Sequence, residues 1–153
     1  MKTGHADKAR ELFNEGYNCS QAVLGAFAED AGLDVKTALR LSAPFGGGMG
    51  RMREVCGTFS GIVMVVSMLY GYSDPKDNST KTGLYGRIQE IAEQFRRDNG
   101  SIICKELLGI SKPEGSPVPE HRTSEYYKKR PCPELCRYAA DILEKYIAEH
   151  PVK

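Results

Sequence analysis

The stretch Phe45-Gly46-Gly47-Gly48-Met49-Gly50-Arg51-Met52-Arg53-Glu54-Val55-Cys56-Gly57-Thr58-Phe59-Ser60-Gly61 constrains the chain more than any other. Four of the five residues 46–50 are glycine, so the backbone there can take positive φ and turn sharply, and no regular element is expected to run through it. Beyond it lies the most apolar run of the chain, Ile62 to Leu69. Length and flanks favour a helix over a strand, from about 53 to 70, apolar on almost every side and therefore central and buried. Its internal glycines, Gly57 and Gly61, cost about 1 kcal/mol each relative to alanine, and close approach of a neighbouring backbone is the expected compensation.

The remaining elements follow from caps and periodicity. A helix is expected over 6–13, stopped at Gly16. Asn18 with Gln21 three residues on has capping-box spacing, predicting a helix to about Ala31. Asp34 caps a third helix to about Ala43, ended by Pro44. Leu84, Ile88, Ile91, Ala92 and Phe95 recur at helical spacing between Thr80 and Arg97, with Asn99-Gly100 as the stop. Ser101 introduces a short helix to Leu108, and Pro133 suits the first position of a C-terminal helix to about Ala148. Residues 111–130, with Pro113, Pro117 and Pro119, read as a long surface loop, a length that is usually functional or disordered. The expected fold is all-α, a bundle of five to seven helices forming a single domain over 1–153.

Charge excludes some functions. The 21 basic and 20 acidic residues leave a net charge of +1, so neither nucleic acid nor a membrane surface is an expected partner. The apolar run is far shorter than the roughly 20 residues that span a bilayer, and Met1 to Asp7 are polar, so a cytoplasmic location is expected. The glycine loop lacks the Gly-Lys-Ser/Thr of a phosphate-binding loop and follows a helix rather than a strand. His5, His121 and His150 stand in polar segments and are expected in solvent, as are Arg96-Arg97 and Lys128-Lys129-Arg130.

Five cysteines are the remaining signal. Cys19, Cys56, Cys104 and Cys132 all fall at or near expected helix N-termini, where unpaired N–H groups and the positive dipole end favour a thiolate. Depressed pKa values are expected from that placement, aided at Cys56 by Arg51 and Arg53, with Cys56 as the nucleophile. Glu54 is a candidate proton carrier beside it. No Cys-x-x-Cys knuckle is present, so a zinc or iron–sulfur site requires Cys19, Cys56, Cys104 and Cys132 to converge from separate helices. Cys132 and Cys136 lie one helical turn apart and can share a face.

Cys19 within Asn18-Cys19-Ser20-Gln21-Ala22-Val23, the glycine loop, Glu54-Val55-Cys56-Gly57-Thr58-Phe59-Ser60-Gly61, Cys104-Lys105-Glu106-Leu107-Leu108-Gly109 and Cys132 together resemble the redox-active protein family with the C…CGAxxG…C…C cysteine pattern. The likeness runs from about residue 8 to 145. It implies that Cys19, Cys56, Cys104 and Cys132 are the family's four cysteines, that the protein is bacterial or archaeal, and that its chemistry is redox. Thr58 replaces the family's alanine, and Cys136 is additional. The expected function is thiol–disulfide chemistry with a partner protein or small thiol and no required cofactor. The alternatives are a four-cysteine metal module and a non-catalytic helical interaction protein.

Overall fold

The computed structural model describes residues 4–112 and 115–152. Its elements are α1 (His5–Asn14), α2 (Cys19–Ala26), α3 (Val35–Ser42), a 3-10 turn (Ala43–Phe45), α4 (Gly57–Tyr70), α5 (Asn78–Asn99), α6 (Cys104–Leu108), α7 (Ser124–Lys129) and α8 (Cys132–Glu149). The fold is all-α, and the only β pairing among the described residues is an isolated antiparallel bridge between Val55 and Ile103.

The described residues form eight α-helices, against the expected five to seven. The additional one, α7, lies inside the stretch read as loop, where Thr123 caps it by accepting from the Tyr126 N–H. Three nearby prolines and the absence of an apolar stripe hid it. The central helix begins at Gly57 rather than near 53. Arg51 and Arg53 have φ of +62° and +61°, and Val55 is extended against Ile103, so no helix can start before Cys56. The second helix ends at Ala26 instead of about Ala31, because the Phe27 N–H closes onto Leu24 O at 3.1 Å and the chain continues as tight turns to Gly32.

α4 sits in the middle of the bundle against α2, α5 and α8, while α1 packs on α2 and α8. Its inward face carries Phe59, Ile62, Val65 and Val66, all buried, which share one core with Val23 of α2, Phe27 just after it, Phe95 of α5 and Leu143 of α8. The two glycines of α4 let α2 lie against it. A Cβ on Gly57 would stand 2.6 Å from Cys19 Sγ and 3.1 Å from Ser20 N, and one on Gly61 would stand 2.7 Å from Val23 Cβ. The 2.6 and 2.7 Å approaches are shorter than a Cβ tolerates, so the close approach expected from sequence is what the glycines serve.

His5 contradicts the expectation of a solvated histidine. Its ring is 4% exposed, stacks on Phe27 at 4.0 Å between centroids, and lies 2.7 Å from Asp30 Oδ2 and 2.6 Å from Glu144 Oε1. It ties α1 to α8 and to the turn after α2. His150 is half-buried, stacked on Tyr146 at 4.0 Å, and His121 is exposed as expected.

Candidate functional site: a cavity lined by four cysteines

The site is assembled from helix starts. Asn18 accepts from the Gln21 N–H at 2.9 Å and Gln21 Oε1 accepts from the Asn18 N–H at 3.0 Å, the capping box expected from sequence. The same two side chains donate to Ala43 O and Leu39 O of the α3 region, which fixes Cys19 at the first position of α2. Cys56 is the N-cap of α4, its N–H bound to Ile102 O at 2.8 Å. Cys104 opens α6, with its N–H on Glu54 O at 2.6 Å, so the short pairing around Val55 and Ile103 ties the start of α4 to the start of α6. Cys132 is the first residue of α8, one position earlier than Pro133 had suggested.

Between them lies a cavity of about 360 Å³, lined by Cys19, Cys56, Cys104 and Cys132. The glycine loop forms one wall. Residues 47 to 51 all have positive φ, between +56° and +73°. At Gly48 a Cβ would come within 2.7 Å of Cys104 Cβ, so this turn is what allows the loop to close over α6. Met49, Arg51 and Arg53 hold the same left-handed backbone without being glycine, a strain of about 1–3 kcal/mol each. The opposite wall is the 115–123 segment with Pro117, Pro119, Glu120 and Arg122, followed by Tyr126 and Arg130 of the α7 region. The stretch expected to be a surface loop is thus the cover of the cavity.

The electrostatics depart from the expectation of depressed thiol pKa values. Burial pushes Cys56 up to about 12, with a smaller rise from Cys19 and an opposing pull from the Thr58 hydroxyl, 3.1 Å from its sulfur. Burial also raises Cys104, Cys132 and Cys136. Arg53 is 3.8 Å from Cys104 Sγ through Nη1 and lowers that thiol, so the arginine expected to act on Cys56 acts on Cys104 instead. Glu54 is exposed, and its contribution is the carbonyl that receives Cys104 N–H. Cys136 is fully buried behind the site, its sulfur 4.0 Å from Cys19 O, and does not line the cavity with Cys132. All five cysteines are free thiols. Among the described residues no three His, Cys, Asp or Glu side chains are grouped to hold a metal ion, and no helix is long and apolar enough to cross a membrane.

Residues 17–146 match the family model described as "Putative redox-active protein (C_GCAxxG_C_C)". The chain belongs to this family. No curated protein and no solved structure matches it. Thr58, two residues past Cys56, puts a hydroxyl on the Cys56 sulfur. Sequence reasoning missed Glu120, Arg122 and Arg130 as cavity residues. The length of the 111–130 stretch was the available signal, and Arg130 was hidden in a basic run of which only Lys128 and Lys129 are exposed.

Proposed function

We propose that this protein is a thiol-based redox protein in which Cys19 and Cys56 cycle between dithiol and disulfide, with Cys104 and Cys132 as further thiols of the same cavity. The observation that carries the reading is the meeting of these four cysteines, from four separate helices, around one cavity. Cys19 is the attacking group, in place of the Cys56 expected from sequence. It is half-buried, whereas Cys56 is buried, and it stands at the start of an eight-residue helix. A thiol held near 12 is a poor nucleophile at neutral pH, which assigns Cys56 the second step.

The cycle balances as thiol–disulfide exchange with a disulfide substrate. Cys19 thiolate attacks one substrate sulfur, the S–S bond breaks, and one half departs as a thiolate. Cys56, losing its proton to water, then attacks Cys19 Sγ and expels the second half. The substrate gains two electrons, and the protein is left with a Cys19–Cys56 disulfide and has released two protons.

The test uses anaerobically reduced protein, a neutral small disulfide (hydroxyethyl disulfide), thiol counting and disulfide mapping by mass spectrometry. Thiols are expected to disappear in pairs, Cys19–Cys56 first, and Cys19→Ser to stop that first pairing. Five thiols persisting unchanged would overturn the reading. Elemental analysis of the same sample examines the four-cysteine donor set as a zinc or iron–sulfur site, and stoichiometric metal protecting these thiols until chelation would replace the disulfide cycle with metal chemistry.

A further inference from the structure

We propose that the cavity is a receptor for a small carboxylate-bearing molecule, and that Glu120 occupies the seat of that carboxylate until the molecule displaces it. One oxygen of Glu120, Oε1, is shared by three guanidiniums from two sides of the cavity. Arg51 Nη2 lies at 3.7 Å, Arg53 Nη2 at 3.8 Å, and Arg130 Nη2 donates to it directly. The three arginine side chains are 14%, 7% and 12% exposed, whereas Glu120 is 40% exposed. The cationic side of the seat is therefore built into the wall and the anionic side arrives on a surface segment. Guanidiniums bind carboxylates in this multidentate manner, and Glu120 itself shows which group the seat takes.

Two of these arginines, Arg51 and Arg53, hold positive φ, so the chain accepts backbone strain where it presents them to the cavity. The N-termini of α2, α4 and α8 add positive potential from the same side as the thiols. A volume of about 360 Å³ is the size of a small-molecule site rather than a peptide groove. The charge preference stands on this geometry alone. It rests on the redox reading only for the use made of the ligand, which would then be a small carboxylated disulfide whose sulfur reaches Cys19.

Alkylation by iodoacetate and iodoacetamide, two reagents with the same leaving group that differ in charge, tests the proposal at each cysteine by mass spectrometry. Their rate ratio cancels the thiolate fraction, so an arginine's effect on thiol acidity drops out and its effect on the reagent's carboxylate remains. At low salt the iodoacetate-to-iodoacetamide ratio at Cys19 should exceed that of the same protein unfolded in urea and fall as KCl is raised. Arg51→Gln and Arg130→Gln should lower it by about tenfold each, Glu120→Gln should raise it, and Lys81→Gln, away from the cavity, should leave it unchanged. The salt dependence needs no variant, and Glu120→Gln keeps the side chain's size, so the test survives loss of folding in an arginine variant. A ratio equal to that of unfolded protein, a ratio indifferent to the arginines, or a Cys19 that neither reagent reaches would each overturn the proposal. The neutral disulfide used to test the redox cycle does not depend on this charge preference, so either idea can fail without the other.

Discussion

The four cysteines sit at helix starts as their sequence contexts indicate, yet the thiols whose values move are raised rather than lowered. Magnitudes explain this. A helix dipole contributes about 0.3–1 kcal/mol, reaching ~2 in partly buried sites, whereas full burial of an ionisable group shifts its pKa by up to about 3–5 units, each worth about 1.4 kcal/mol. Desolvation depends on which side chains close over the sulfur, and this is invisible in a window of sequence. For Cys56 the consequence is a pH dependence of known sign. Its thiol is raised from the ordinary value of 9.0 to about 12, so across that window the native protein keeps a proton that the unfolded chain releases. The stability due to this group is complete below pH 9 and is lost as the pH climbs toward 12. The denaturant midpoint of reduced protein should therefore decline from pH 9 to 11, with a shallower slope in Cys56→Ala; an unchanged slope would mean that Cys56 is not buried as described. Thr58 lowers the same thiol. Thr58→Ala should slow Cys56 alkylation at pH 9 several-fold and Thr58→Ser should restore it, measured by mass spectrometry.

At the scale of elements, most of the bundle was legible because its signals are local. The Asn18/Gln21 capping box, the Asp34 cap and Gly100 as a left-handed stop all stand where the residues put them. The start of α4 and the existence of α7 were not legible. The first depends on a pairing between residues almost fifty positions apart, and the second on a cap within a proline-rich stretch without apolar periodicity. The glycines of helices separate into two kinds that sequence alone cannot tell apart. On α4, Gly57 and Gly61 abut α2, and alanine at either should cost about 1–3 kcal/mol through overpacking. On α5, a Cβ at Gly83 or Gly86 would meet nothing within 4 Å, and alanine there should stabilise by about 0.5–1 kcal/mol. Urea unfolding of the four single variants checks both signs, and equal effects in the two helices would refute the distinction.

At the scale of the whole molecule, a packed bundle carries a cavity whose cover is the least buried part of the described chain. Residues 115–121 are exposed, and the segment is held by Arg51 from the glycine loop and by its own Arg122. Arg51 Nη1 donates to Ser116 O at 2.7 Å and to Val118 O, while Arg122 reaches back to Phe13 O at 2.7 Å and Tyr17 O at 2.9 Å and lies 4.1 Å over the Phe13 ring. Few buried apolar contacts and a handful of side-chain hydrogen bonds define a unit that opens well before the core does. Arg122→Ala removes the anchor to α1 and leaves α2, α4 and α8 untouched, so it separates opening of the cover from unfolding of the bundle. Subtilisin should then cut within 115–123 at least several-fold faster than in the unaltered protein, and neutral iodoacetamide should reach Cys19 and Cys132 faster, while the helical circular dichroism is preserved. Faster cleavage without faster alkylation would mean that the segment does not control access to the thiols. Unaltered cleavage would place the hold on the cover at Arg51 and the Glu120 seat, whose contacts also span it, rather than at Arg122.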